Sequence, residues 1–366
     1  MFERVPRIER LELDAGRRIL VVSDVHANLP YFKRALEKAS FCGDDELVID
    51  GDFLEKGQYS LETLRYIMEL CKNGNVHPLL GNCDAHWTED VFSDLPDFDE
   101  HVLHYMQHKR YGVLWEMCAA AGLDVMAMDS FTPHKDTLKR LFPRELEFLH
   151  GLPHAIETEN FIFVHAGMNG TKPLAENNTS ELMHRDAFLR EGQSFDKWVI
   201  VGHWPVMLYG ENTVCANPII DREHRIVSID GGCVLKDDGQ LNVLIIPDRD
   251  SDDFSWTAYD PFPERRVLSD QSGGGRSWYI RWGDSRVRVL ERGAEFSRCR
   301  HIRTGYEMDI LTKYLFSAED ETGCNDSTDY VLPLRAGDTV SVVEETSRGY
   351  LVKHNGVSGW YFGELE

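Results

Sequence analysis

The chain has 366 residues, of which 42% are hydrophobic and 28% charged; at roughly 150 residues per domain this predicts two to three domains and excludes wholesale disorder. With 39 Lys and Arg against 62 Asp and Glu, the formal net charge is −23, which disfavours long nucleic acids and anionic membrane surfaces as partners. The eight cysteines are scattered without a CxxC pair, and neither a signal peptide nor a run of about 18 apolar residues is visible, so the expectation is a reduced, cytoplasmic protein.

In chain order, the N-terminal half alternates apolar runs with amphipathic stretches. Strands are predicted over 18–23, 46–50 and 76–80, and helices over 31–39 and 60–72. That alternation argues for βαβ units. A long, mostly helical insertion follows, acid-rich near 89–100, rich in His and Tyr near 101–111, and closed by a helix at 143–150. His101, His104 and His108 fall on one face of it, expected to be solvated. Further strands are predicted at 161–164, 198–201, 225–229 and 241–246.

After 247, Asp, Ser and Gly replace the apolar periodicity. The expected division is a catalytic domain over 1–250, a linker over 251–277 and a β region over 278–366. In that last region RVRVLERGAEFSRCRHIRTG is faintly similar to TVSVVEETSRGYLVKHNGVSG, about 50 residues on, which hints at two related barrel-like units. Trp278, Trp282 and Trp360 are expected in its core. Asn355–Gly356 between alternating strands predicts a tight hairpin.

The stretch 332–366 resembles an SH3 or bacterial SH3-like barrel. The resemblance rests on a GD-x-V-x-V strand, a Gly349–Tyr350 strand start, the Asn-Gly turn and a G-x-x-G-W-Y exit. Tyr350 stands where binding-competent SH3 domains carry Trp, which argues against a proline-peptide role. A protein partner of another kind stays open.

Each core strand of the N-terminal part ends in residue types that bind metals. The first runs into SDVH, which puts Asp24 and His26 on one side of an extended chain. The second runs into GDFLEKG with Asp52, and the third into LLGNCD with Asn82 and Asp84. Later strands run into FVHAGM with His165 and GHWPV with His203. In open α/β folds, sites assemble at strand carboxyl ends. Three His, two Asp and one Asn form a nitrogen and oxygen set that suits two first-row metals sharing a carboxylate. Such a pair can stabilise both the attacking and the leaving oxygen of a phosphoryl displacement.

These five blocks, in this order, resemble those of calcineurin-like metallophosphoesterases over residues 17–247. The resemblance implies an α/β/β/α sandwich with a C-terminal all-β appendage. It implies Asp24 and His26 on one metal, Asn82, His165 and His203 on the other, and Asp52 bridging the two. PRELEFLHGLP and ELMHRDAFL further resemble the bacterial serine/threonine phosphatase and diadenosine tetraphosphatase branch, in which Arg185 falls at a phosphate-contacting arginine.

The departures are specific. GDFLEKG keeps an acid at Glu55 but has Lys56 for the family's arginine. LGNCD has Leu80 for another arginine and Cys83 for the general-acid histidine, whose kind contributes about 10²–10⁴-fold in rate. GNCD resembles a phosphodiesterase-type subset, and His86 is an alternative proton donor. Asp230, in SIDGGCV, reads as turn chemistry.

The resemblance thus implies a metal-dependent phosphoesterase, a hydrolase of phosphatase type in which a metal-bridging hydroxide attacks phosphorus. Asp52, Asp84, Cys83 and Arg185 are its candidate catalytic residues. Two divalent cations are expected, manganese first, with iron or zinc as alternatives. Substrates would be phosphorylated small molecules or phosphoproteins. The alternatives are a phosphodiesterase or dinucleoside polyphosphate hydrolase and, from another class, a weakly active metal-binding scaffold with an SH3-like partner-binding tail.

Overall fold

The computed structural model describes residues 5–84, 98–318 and 321–366. Strands β1 (Ile8–Arg10), β2 (Ile19–Val22), β3 (Glu46–Asp50) and β4 (Val76–Leu79) are interleaved with helices α1 (Leu29–Lys38) and α2 (Ser60–Leu70). A proline in its first turn opens α1, which buries Leu29, Phe32, Ala35 and Leu36 along one helical stripe. The insertion contains α3 (Phe98–Lys109), α4 (Val113–Ala120), α5 (Lys135–Leu141) and α6 (Pro143–Gly151). His101, His104 and His108 are exposed on α3.

Then come β5 (Ala155–Glu157), β6 (Phe161–Val164), the short α7 (Thr179–Met183), β7 (Trp198–Val201), β8 (Val214–Cys215), β9 (Ile219–Asp221), β10 (Ile226–Ser228), β11 (Leu241–Ile246) and β12 (Ser255–Tyr259). An Asn178–Glu181 capping box starts α7.

The chain divides into two units. The first is Met1–Trp204, Pro218–Val234 and Leu241–Tyr259. It holds two sheets, ordered β12-β11-β2-β3-β4 and β1-β5-β6-β7-β10-β9. Within them β2, β3 and β4 run parallel, as do β6, β7 and β10. Ile19, Val21, Val48 and Leu79 pack against Phe161, Phe163, Ile200 and Val227 between the sheets. Their sequence neighbours Leu20, Val22, Leu47 and Ile49 face Phe32, Ala35, Leu64 and Ile67 of the helices. Burial on both faces is why these strands read as unbroken apolar runs. This is the expected α/β sandwich, with a strand-rich C-terminal region after it.

The second unit is Pro205–Asn217, Leu235–Gln240 and Asp260–Glu366. It adds β13 (Glu264–Arg266), β14 (Tyr279–Ile280), β15 (Arg286–Glu291), β16 (Phe296–His301), β17 (Glu307–Leu311), β18 (Leu315–Ala318), β19 (Glu321–Cys324), β20 (Ser327–Thr328), β21 (Thr339–Thr346), β22 (Gly349–His354) and β23 (Val357–Tyr361). Two five-stranded sheets result, β17-β16-β15-β19-β18 and β13-β21-β22-β23-β8. The two faintly similar segments begin the same device, a three-strand antiparallel meander. Its register breaks between Val289 and Glu291 in one copy and between Val342 and Glu344 in the other. Asn355 (φ 50°) and Gly356 (φ 76°) join β22 to β23 with both φ positive, as a type I′ turn requires.

Several elements escaped the pattern reading. Strands β12 and β13 lie in the stretch whose composition reads as linker, and β12 pairs with β11. Half-exposed edge strands such as β12, and three-residue ones such as β1 and β5, carry little hydrophobic periodicity. Trp360 is buried, but Trp282 is 60% exposed. It sits in the turn after β14, where its side chain leaves the sheet. Among the described residues no helix is long and apolar enough to cross a membrane.

Candidate metal centre

Because β2, β3 and β4 are parallel, the loops after them emerge at one edge, and backbone bonds lock these loops together. Asp24 N donates to Gly51 O at 3.0 Å and His26 N to Asp52 O at 2.9 Å. Gly202 N donates to His165 O at 2.8 Å, which joins the loops after β6 and β7. A Cβ at Gly81 would fall on Asp52 Oδ1 and its backbone nitrogen, so only glycine lets the Asn82 loop close over Asp52. Asp24 (φ 55°), His26 (φ 48°), Asp52 (φ 51°) and His203 (φ 64°) all adopt the left-handed region. Such conformations cost about 1–3 kcal/mol each and concentrate at sites that bind ligands.

Six side chains from five loops converge. Asn82 Oδ1 lies 2.8 Å from His203 Nδ1 and 3.2 Å from His165 Nε2. His165 Nε2 is also 3.4 Å from Asp52 Oδ1. His165 Nδ1 donates to the Asp50 carbonyl at 2.9 Å, which fixes the ring and aims Nε2 inward. On the other side of Asp52, His26 Nε2 is 3.7 Å from Asp24 Oδ1. Ligand atoms of Asp52, His165 and His203 lie within 4.8 Å of one another, and so do those of His26, Asp52 and Cys83.

The electrostatics call for cations. Asp24, Asp52 and Asp230 are all about 98% buried or more. Burial, then Asp230, holds the Asp24 carboxyl well above the usual range, and burial pushes Asp230 up to about 6. Burial opposes ionisation of Asp52 as well, but His165 prevails and holds it well below. Burial drives His26 and His203 down to about 3, so both rings are neutral lone-pair donors near pH 7. Lys56 Nζ lies 3.4 Å from His26 Nε2, in the field of Cys83, Asp52 and Asp24. Among the described residues, Asp24 Oδ1, Asp230 Oδ2 and His26 Nδ1 are buried without hydrogen-bond partners. Burial opposes charge on His165, but Asp52 prevails and raises it to about 10, so a proton sits beside Asp52 where a cation would replace it. Two neutral imidazoles, ionisable carboxylates and an orphaned carboxylate oxygen are donors that a divalent cation uses.

The other candidates are differently placed. Asp84 accepts from Leu54 N at 2.9 Å and Gly81 N at 3.0 Å, one oxygen each, and so ties two site loops together. Cys83 donates its backbone N–H to Asp52 Oδ1 at 2.8 Å. Arg185 pairs with Glu191 at 2.5 Å. Its neighbours reach the centre: the His184 ring stacks edge-on to His203 at 6.3 Å, and Asp186 Oδ1 is 3.4 Å from His203 Nε2. Sequence reasoning overlooked Asp186, and only its place beside Arg185 in HRDAF could have flagged it. Glu55 is buried and accepts from Val113 N at 2.9 Å and Tyr105 OH at 3.2 Å, which fastens the insertion to the Asp52 loop. Burial raises it to about 8. His86 and most of the acid-rich stretch lie outside the described residues.

Residues 17–232 match the family model described as calcineurin-like phosphoesterase. Solved structures of similar fold include a protein assigned as a diadenosine tetraphosphatase (17% identity, 70% of this chain and 99% of that one, TM-score 0.44). Others are a protein serine/threonine phosphatase from Saccharomyces cerevisiae (12%, 70% and 85%, 0.43) and a metallophosphoesterase from Sphaerobacter thermophilus (17%, 66% and 88%, 0.40). No curated protein matches the chain. The family match spans more than half of the sequence, so the chain belongs to the calcineurin-like phosphoesterases, hydrolases that bind divalent metals.

Proposed function

We propose that this calcineurin-like phosphoesterase hydrolyses phosphoester bonds at a centre of two divalent cations. Asp24 and His26 would hold one, Asn82, His165 and His203 the other, and Asp52 both. The observation that carries this reading is the meeting of His203 Nδ1 and His165 Nε2 on Asn82 Oδ1, at 2.8 and 3.2 Å, beside Asp52. Two imidazole nitrogens and an amide oxygen at such range, next to a buried carboxylate, form a cation cradle. Manganese, iron and zinc all suit these donors. When bound, such cations supply Lewis acidity toward phosphate oxygens and a nucleophile at neutral pH.

The chain's own groups shape the rest. The Asp50 carbonyl orients His165, and the His203 amide fixes Asp24 Oδ2 at 2.9 Å. Lys56, free to leave His26 once a cation replaces it, supplies positive charge to a phosphate oxygen. Arg185 would add a guanidinium fork from the HRDAF segment. The second reading, hydrolysis of a diester or dinucleoside polyphosphate, is favoured by Cys83. Without an imidazole to protonate the departing oxygen, leaving groups that depart as stable anions are the better substrates. The C-terminal meanders are read as SH3-like modules that engage a protein partner.

The test is turnover of an aryl phosphomonoester and a bis-aryl phosphodiester by the manganese-loaded protein, beside Asp52→Asn and His165→Ala. Turnover of at least one substrate, reduced about 10²-fold or more in both variants, is expected. Turnover of neither substrate, or variants equal to wild type, would overturn the reading.

A further inference from the structure

Cys83 occupies a position from which sulfur can act as more than an absent proton donor. Its backbone N–H is pinned to Asp52 Oδ1 at 2.8 Å. Its Sγ, a carboxylate oxygen of Asp52 and an imidazole nitrogen of His26 all lie within 4.8 Å of one another. Asn82 faces both halves of the centre: Oδ1 meets His165 and His203, while Nδ2 points at Cys83 Sγ from 3.5 Å.

Two further observations point to a cation at this place. Asp24 Oδ1, on a side chain only 1% exposed, has no hydrogen-bond partner among the described residues and lies 3.7 Å from His26 Nε2. The Lys56 ammonium stands 3.4 Å from that same nitrogen. A monovalent side-chain cation is thus held where His26 presents its lone pair, beside a carboxylate oxygen that no described group hydrogen-bonds.

We infer that Cys83 is a thiolate ligand of the cation on the His26 side, completing a set of Asp24, His26, Asp52 and Cys83. The inference rests on the metal reading of the proposed function. Binding releases the thiol proton to solvent as sulfur donates to the cation, with no change of oxidation state. The two positions then differ in kind. The His165 side offers only nitrogen and oxygen, whereas the His26 side adds a soft sulfur donor, which selects zinc, cobalt or iron over manganese and magnesium. Sulfur committed to a cation does not donate a proton to the leaving group. The departure at this position therefore sets metal selection.

The experiment uses the full chain titrated with cobalt(II) and followed by its electronic spectrum. Expected are ligand-field bands from bound cobalt together with a sulfur-to-cobalt charge-transfer band in the near ultraviolet. The charge-transfer band should vanish in Cys83→Ser and Cys83→Ala while ligand-field bands of the His165-side ion persist. In Cys83→Ser, one of the two zinc affinities should fall at least about tenfold, with manganese affinity little changed. A second measurement needs only wild type: bound zinc should protect Cys83 from alkylation in peptide mapping, while the exposed Cys42 stays reactive. Ligand-field bands without charge transfer, a charge-transfer band unchanged in Cys83→Ser, or Cys83 alkylated equally with and without zinc would overturn the inference and leave the metal centre standing. No cobalt binding at all would overturn the proposed function itself.

Discussion

The backbone N–H of His203 donates to Asp24 Oδ2 at 2.9 Å, although 179 residues separate the two. The bond joins the loop after β7 in one sheet to the loop after β2 in the other, at the edge where the candidate ligands gather. It leaves Asp24 Oδ1 as the oxygen without a hydrogen-bond partner among the described residues. That division of labour makes Asp24 a sharp test of the centre.

Asp24→Asn keeps an acceptor for the His203 amide but removes a buried charge. The metal-free protein is expected to gain about 1–3 kcal/mol, because an uncompensated buried carboxylate disappears. Affinity for the His26-side cation should fall about 10–100-fold or more. Chemical denaturation with and without a chelator reads both effects. A variant that is less stable when metal-free, or unchanged in metal affinity, would contradict the assignment.

Gly81→Ala places a methyl group on Asp52 Oδ1 and its backbone nitrogen. The loop must retreat, taking Asn82 and Cys83 with it. A loss of about 1–3 kcal/mol is expected, with impaired metal binding by calorimetry. Gly74→Ala is the control: nothing lies within 4 Å of its Cβ position, although its φ, unlike that of Gly81, is positive (76°). It should lose stability through backbone strain alone and keep metal affinity.

Glu55 gives a pH signature. Burial raises its folded-state value to about 8 from an ordinary 4.5. Between those values the folded state holds a proton that the unfolded state has lost, so stability falls as pH rises through this window. Glu55→Gln keeps the acceptor for Val113 N and removes the titration. Its stability should fall less steeply between about pH 5.5 and 7.5, by up to about 1.4 kcal/mol per pH unit. Urea melts at several pH values measure this. Parallel profiles for the two proteins would refute it.

Deletion of residues 260–366 is expected to damage what remains. Strand β8 pairs with β23, and Lys353 Nζ reaches the carbonyls of Asp238 and Gly239 at 3.1 and 3.2 Å. The deletion strips 205–217 and 235–240 of these partners. A lower melting temperature and a tendency to aggregate should appear by calorimetry and light scattering. A truncated chain as stable as the full one would show that these segments hold themselves.

Much of the fold was legible from short-range pattern. The runs ILVV, FIFV and WVIV are fully buried strands because each packs between a sheet and helices, and such burial leaves no polar position to hide the signal. The Asn355–Gly356 turn was equally plain, since few dipeptides tolerate two positive φ angles. Strands β1, β5, β12 and β13 were not legible. They are short or half-exposed edges, held by pairing with a neighbour rather than by their own periodicity.

At the candidate site, the sequence by itself determined that six potential donors each follow an apolar strand, because strand termini and residue chemistry are local properties. It could not tell that Asp84 spends both oxygens on backbone amides, that Asp186 stands beside His203, or that Lys56 lies against His26. Nor could it place Cys83 sulfur on the His26 side of Asp52. Those relations are distances between side chains on different loops, and the packing of two sheets and the left-handed turns at their edges decides them.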